Sequence, residues 1–522
     1  MNPFASLAVA MSFLSVIGCN AEKNDSDKSE THTDTDTEAN AQVVTDDGVV
    51  IQGVPGELVD QYLGIRYAKP PVDALRFLPP QPLDDDEVTT DATEFGNRNY
   101  QVGVIDIFLG ERATPGEQSE DCLFLNVYTP RDVEEDTPVM VWIHGGAYMN
   151  GSGNEYDMID FVEDHGLVVV TINYRLGIFG FLNLRELGGA YADSVNLGIQ
   201  DQVAALAWVE DNIAAFGGDP SNVTIAGQSA GANAVFTLLG TPSAEGLFDK
   251  AMAFSGGEVL NPPPDHVELL KGYLGVGTDQ QVIDRLSEMT PEQLLEVQAN
   301  SGFSPNTSVD GVVVSQRPSE AVKGMSSDVP IFTGTVQDDG TTLAPPFAPT
   351  EEVGNLFISF LAADIGEGDP VPYLAYLDET LPDASAVDRL SRVWYDVFRS
   401  SALRIASTAS AHGAGGWVYN FEVPTDFPEG ITHGSSLPFL FKWVEPGHPG
   451  ILFHEPTPEN MQISEDWSNT VVEFVRTGSP NGGGLPEWPR FEADTYGSMR
   501  IGTGYEFVIR ADEPLFEVYG IR

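Results

Sequence analysis

Basic side chains are what this chain most lacks. Its 522 residues carry 25 Lys and Arg against 79 Asp and Glu, a formal charge of −54. A surface of that sign repels phosphate, which excludes nucleic acid and argues against polyanionic substrates. Cysteine is scarcer still. Cys19 and Cys122 are the only two, too few for a disulfide framework and at no metal-binding spacing. The eight histidines are scattered, with no His-x-x-x-His or Glu-x-x-His cluster, so neither a metal site nor a cofactor is expected. Near the start of the chain, the apolar stretch Ala5 to Gly18 falls short of the roughly 20 residues that a membrane span requires.

That stretch has the length of a secretory signal and closes with Val16-Ile17-Gly18-Cys19. The ending resembles a bacterial lipoprotein cleavage box, with Cys19 as the residue to be lipidated. Met1-Asn2-Pro3 brings no Lys or Arg to the region before it, so a freely secreted form with an incidental cysteine is the alternative. Residues 1–18 are therefore read as a lipoprotein-type signal peptide. Residues 19–42 are dominated by Asp, Glu, Ser, Thr and Asn and read as a disordered, self-repelling tether, with His32 solvated. No comparable linker recurs, which leaves one folded unit over 43–522. The expected location is outside the cytoplasm, facing periplasm or exterior, with membrane contact only through a lipid at Cys19.

Within the folded unit, apolar runs bounded by turns occur at Val139–Ile143, Leu167–Ile172, Val223–Ala226, Ala251–Phe254, Val329–Phe332 and Trp417–Phe421. Runs that are apolar on both faces belong to strands covered on both sides, as in a central parallel sheet. Between them lie helical patterns. Leu206, Val209, Ile213 and Phe216 form one stripe that stops at Gly217-Gly218. Alternating strands and helices predict a doubly wound α/β architecture. Stretches 263–300 and 350–412 read as helical insertions, which either roof a site or serve packing alone.

The stretch Val223-Thr-Ile-Ala-Gly-Gln-Ser229-Ala-Gly-Ala-Asn233 carries the chemistry. A β-branched run ends at Gly227, and small residues after Ser229 open a helix. Glycines on either side of a serine spell a sharp strand-to-helix turn that holds the hydroxyl outward. The Gly-x-Ser-x-Gly pattern alone is weak, but here it follows a strand and precedes a helix. A serine presented in this way acts as a nucleophile if a base reaches it.

Many further motifs stand in one order along the chain. They include Tyr62-Leu-Gly-Ile-Arg-Tyr-Ala-Lys-Pro-Pro71 with Leu75-Arg-Phe77, Ser119-Glu-Asp-Cys-Leu-Phe-Leu-Asn126, His144-Gly-Gly-Ala147 and Asn173-Tyr-Arg-Leu-Gly177. Asn196-Leu-Gly-Ile-Gln-Asp-Gln202, Phe216-Gly-Gly-Asp-Pro220, Gly227-Gln-Ser-Ala-Gly231 and Val309-Asp-Gly311 follow. Gly334-Thr-Val-Gln-Asp-Asp-Gly340, Gly478-Ser-Pro-Asn481 and Trp488-Pro489 complete the series. Together they resemble the type-B carboxylesterase/lipase family, the esterase and cholinesterase branch of the α/β-hydrolases, over nearly the whole folded unit.

The resemblance implies an α/β-hydrolase fold, with a central, mostly parallel sheet flanked by helices and helical insertions over the site. It implies Ser229 as nucleophile and His433, in Ile431-Thr-His-Gly434, as base, in the chain order Ser, acid, His. Asp338 and Asp339 are both available as the orienting acid. Aligned on Gly340, Asp339 takes the slot where the family usually has Glu, and Asp338 stays open. Gly146, Ala147 and Ala230 are implied as the backbone donors of an oxyanion hole. His144 is then structural, as are His412, His448 and His454. Ala147 stands where many relatives have a third glycine, and Ser436 where relatives often carry Glu. Ser255, in Phe254-Ser-Gly256, resembles a family serine that lies behind the reacting residues, the alternative being a buried hydroxyl bonded to backbone. Cys122 matches a family half-cystine whose partner region, Asn97-Arg-Asn-Tyr-Gln101, has no cysteine, so that bridge is absent.

The expected activity is a serine hydrolase that cleaves small-molecule carboxylic esters through an acyl-enzyme. A lipase or amidase using the same three residues is one alternative. A non-catalytic adhesion protein on the same fold is another, marked in relatives by loss of the nucleophile or base. Both are present here.

Overall fold

A computed structural model describes residues 41–521, apart from 46–47, 85–86, 102–113, 134, 259–261, 367, 426–429, 445–454, 483, 485, 493–494, 511, 513–515, 517 and 520. The expected signal segment, Cys19 and nearly all of the tether lie outside the described residues, as do His32, His448 and His454.

A small antiparallel pair, β1 (Gln42–Val44) and β2 (Val50–Gln52), precedes the main sheet. The main strands are β3 (Val59–Arg66), β4 (Phe124–Pro130), β5 (Thr137–Ile143), β6 (Val168–Ile172) and β7 (Gly218–Gln228). They continue with β8 (Lys250–Phe254), β9 (Ile331–Val336), β10 (Gly416–Phe421), β11 (Ser498–Ile501) and β12 (Tyr505–Val508). Among the described residues these ten form one sheet, in the order β12-β11-β10-β9-β8-β7-β5-β6-β4-β3. The seven strands from β11 to β6 run parallel, and antiparallel pairs close the sheet at both edges.

The reason for the apolar runs is visible in the packing. Every residue of β6, β8 and β9 is buried. Along β5, Val139, Val141 and Ile143 enter the core on one face of the sheet, while Met140 and Trp142 enter the core on the other. Alternate side chains point to opposite faces, so a strand roofed on both sides needs apolar residues throughout. Helices Leu197–Asn212 and Ala230–Leu239 cover the first face, and Ile159–His165 and Pro458–Thr477 the second.

Two boundaries differ from expectation for simple reasons. β9 begins at Ile331, after Pro330, which has no N–H to give a ladder. The Leu206 stripe is carried by a helix that ends at Asn212 and tightens into a 3₁₀ turn at Ile213–Phe216, closed by Gly217 at φ 83°. Both insertions are helical: His266–Leu274, Asp279–Glu288 and Pro291–Asn300 in the first, Glu351–Ile365, Val371–Thr380 and Ala386–His412 in the second. Thr278 and Thr290 each open a helix with a capping box.

The long helix Ala386–His412 is tied to the C-terminal segment by buried polar groups. Asp396 accepts from Tyr373, Tyr519 and Arg392 at 2.6–2.7 Å, and Arg399 pairs with Asp512 at 2.7 Å. Removing one partner would strand a buried charge. Among the described residues, no helix is long and apolar enough to cross a membrane.

Candidate active site

The strand-to-helix turn lies at the C-terminal end of β7, near the middle of the sheet. Ser229 adopts φ 59° and ψ −123° between β7 and the helix Ala230–Leu239. A non-glycine residue there is strained, and the surroundings over-determine it. Its N–H donates to Phe254 O of β8 at 3.0 Å, and its carbonyl accepts from Asn233 N at 2.9 Å. The two flanking glycines are required by contact. A Cβ on Gly231 would sit 2.0 Å from Ile143 O, and one on Gly227 would sit 2.6 Å from the Gly231 carbonyl.

The loop after β5 packs directly on this turn. A Cβ at Gly145 would lie 2.7 Å from Gln228 O and 3.1 Å from Ser229 Cβ. Gly146, Ala147 and Tyr148 then take φ values of 103°, 56° and 57°, which reverses the chain around Ser229. The Gly146 carbonyl turns inward to accept from Met149 and Asn150 N–H groups at 2.9 and 3.1 Å. Among the described residues, the N–H groups of Gly146, Ala147 and Ala230 meet no acceptor. Unsatisfied donors beside a presented hydroxyl are the raw material of an anion-binding hole. His144 is occupied otherwise. Its Nδ1–H donates to Gly145 O at 2.8 Å, its ring stacks on Tyr174, and burial lowers its pKa to about 4. A neutral imidazole so engaged shapes the loop.

His433 comes from the loop after β10 and is buried. Its Nδ1 lies 2.6 Å from Asp339 Oδ1, across 94 residues of chain. Asp339, at the turn after β9, is fully buried and also accepts from Ser255 Oγ at 2.8 Å and Val336 N at 3.0 Å. Three donors thus converge on one carboxylate, whose two oxygens have the lone pairs to take them all. Ser255 holds φ 55° to make that contact. Asp338 faces elsewhere. Its Oδ2 accepts from Ile431 N at 3.0 Å, and its own N–H donates to Ile431 O at 3.0 Å. Asp338 thus fastens the loop that carries His433, while its neighbour contacts the ring.

Two further residues touch the imidazole, and neither was singled out in the sequence. Gln228 places its side-chain nitrogen 3.0 Å from His433 Nε2. Phe398, on the long helix Ala386–His412, stacks against the ring at 5.3 Å and 21°. The second insertion therefore reaches the site. Gln228 could have been suspected from its place beside Ser229, whereas nothing local marks Phe398. His412 bonds Thr408 O at 2.8 Å at an exposed helix end, and His165 and His266 are buried elsewhere. Cys122 is buried and free, and burial raises its thiol pKa well above the ordinary value. Among the described residues, no cluster of His, Cys, Asp and Glu could hold a metal.

Residues 40–514 match the Carboxylesterase family. The chain belongs to the carboxylesterase family. It is 34% identical over 469 residues to the para-nitrobenzyl esterase of Bacillus subtilis, covering 87% of this chain and 93% of that one. Carboxylesterase 1D of Mus musculus is 33% identical over 496 residues, covering 84% and 85%. Among solved structures, a thermophilic para-nitrobenzyl esterase superposes with a TM-score of 0.81 at 30% identity, over 92% of this chain and 99% of that one. A Geobacillus stearothermophilus carboxylesterase gives 0.78 at 34% identity with the same coverage. The fold is that of the α/β-hydrolases, and the enzyme is a carboxylic-ester hydrolase.

Proposed function

We propose that this esterase works through an acyl-enzyme on Ser229. His433 Nε2 takes the Ser229 proton as Oγ attacks the ester carbonyl. Asp339 keeps the other imidazole proton on Nδ1 and stabilises the imidazolium that forms. The carbonyl oxygen becomes an oxyanion and accepts from the N–H groups of Gly146, Ala147 and Ala230. His433 then returns its proton to the leaving alcohol, the ester C–O bond breaks, and Ser229 is left acylated. Water, deprotonated by the same imidazole, attacks the acyl carbonyl; the bond to Ser229 Oγ breaks, Oγ takes the proton back from His433, and the acid leaves.

The observation that carries this reading is the 2.6 Å contact between His433 and Asp339, made beside the strained Ser229 turn. A panel of acyl esters of increasing chain length, assayed with wild type and Ser229→Ala, tests it. Wild type should hydrolyse short esters and Ser229→Ala none. A variant that retained substantial turnover would remove Ser229 from the mechanism. The same panel, extended to an amide, separates esterase from lipase and amidase.

We further propose that the enzyme is exported and tethered by lipid at Cys19, with residues 19–42 as an acidic stalk before a catalytic unit over 43–522. Val16-Ile17-Gly18-Cys19 supports this. Fractionation of cells expressing wild type and Cys19→Ser decides it. Identical distribution into the soluble fraction would exclude the anchor.

A further inference from the structure

The side chain of Gln228 meets the atom that the proposed mechanism uses as its base. His433 Nδ1 lies 2.6 Å from the Asp339 carboxylate, which has no proton to give, so the imidazole proton resides on Nδ1. The lone pair is then on Nε2, and the amide nitrogen of Gln228 stands 3.0 Å from it. Two nitrogens at that distance form a hydrogen bond only if the amide donates. The arrangement is anchored from behind. Gln228 pairs with Phe254 in the sheet, and its carbonyl and Oε1 face Gly145, where a Cβ would approach to 2.7 and 3.2 Å.

We propose that Gln228 is a positioning residue that holds His433 in its neutral form, by donating to Nε2 between turnovers. The proposal rests on His433 being the base. Once Nε2 takes the serine proton, an N–H faces the Gln228 NH₂, and two donors meet. The amide must release that lone pair before Nε2 can accept from Ser229 Oγ, and once Nε2 is protonated the amide can face it only by presenting Oε1. Gln228 thus favours the unprotonated ring, which is the state able to start a cycle, and disfavours an inactive imidazolium in mildly acidic solution.

The other groups around the ring have partners of their own. Among the described residues, Asp339 is a charged side chain hydrogen-bonded to it. Asp338 is bound to the Ile431 N–H. The stacked Phe398 is neutral, and the adjacent Arg399 is committed to Asp512, Ser498 and Tyr419 O. Tyr419 has its pKa raised well above the ordinary value by burial and then by Asp339, and stays un-ionised. Gln228 is the described side chain at Nε2 whose replacement alters this balance without touching Asp339.

The test is the pH profile of kcat/KM on an activated short-chain ester for wild type, Gln228→Met and Gln228→Glu, with melting temperatures as a folding control. The acid limb reports the free enzyme's base. Methionine removes the donor, and glutamate substitutes a carboxylate that favours imidazolium. The limb should therefore move to higher pH in the order wild type, Met, Glu, with glutamate shifting it by about one unit or more. A purely structural role would lower the plateau in both variants and leave the limb in place. That result, or a downward shift with glutamate, overturns the proposal. Ser229→Ala in the same assay separates the two ideas. If it is inactive while the limb stays fixed, only the role of Gln228 fails; if it is active, the mechanism beneath it fails.

Discussion

Replacing Asp339 by Asn tests the acid position with almost no change in volume. The carboxylate accepts from His433 Nδ1, Ser255 Oγ and Val336 N. An amide has one oxygen and one NH₂ in place of two acceptors, and its surroundings decide which way it turns. The Val336 N–H is an obligate donor shared with Ser255 on Oδ2, so the amide oxygen must stay on that side. The NH₂ then faces His433 Nδ1 and forces the ring into the tautomer with its proton on Nε2. A protonated Nε2 cannot accept from Ser229. The expected loss in kcat is about 10⁴-fold, equivalent to about 5 kcal/mol of barrier. Asp338→Asn is the matched control, because an amide oxygen can still accept from Ile431 N–H. Its effect should be mild. The assay is kcat on an activated ester at neutral pH, with circular dichroism to verify folding. If folded Asp339→Asn keeps most of its turnover, or Asp338→Asn loses as much, the acid has been misassigned.

Gly231→Ala would place a Cβ 2.0 Å from Ile143 O and 2.9 Å from His144 O, both backbone atoms; strand and helix must part, costing about 1–3 kcal/mol, and an unchanged melting temperature would contradict this. His144, His165 and His266 have pKa values lowered by burial to about 4, below the unfolded value of about 6.5. The unfolded chain therefore binds their protons first: stability is full above about pH 6.5 and falls as pH drops toward 4, by up to about 4 kcal/mol per unit for three sites. Urea midpoints measured in molar NaCl between pH 7 and 5 check this, and midpoints that rise on acidification would refute it. The charge of −54 predicts that NaCl raises the melting temperature, because the Debye length shrinks from about 10 Å at 0.1 M to about 3 Å at 1 M. Flat or falling melting temperatures would count against self-repulsion.

The central sheet was legible because its parallel strands are buried on both faces. Valine and isoleucine fill most of β6, and a short β-branched run of that kind suits a strand covered on both sides. The edges were not legible. β3 reads Val-Asp-Gln-Tyr-Leu-Gly-Ile-Arg with mixed burial, and β11 and β12 are four residues each, too short to show a period. At the site, local sequence sufficed for the Ser229 turn, whose glycines are dictated by contacts within a few ångströms. The pairing of His433 with Asp339 was legible only through resemblance, because 94 residues separate them. Gln228 and Phe398 escaped because their contacts with His433 join elements far apart in the chain. Asp338 was weighed only as an alternative acid, and its bond to the Ile431 backbone becomes apparent only once β9 and β10 lie side by side.

The mechanism stands on a covalent bond to one hydroxyl. Wild type and Ser229→Ala should be mixed with an activated ester, quenched in acid within the first turnovers, digested and mapped by mass spectrometry. The acyl mass should appear on the peptide containing Ser229 in wild type and be absent from Ser229→Ala. An acyl group on another residue, or turnover by Ser229→Ala at the wild-type rate, would contradict it.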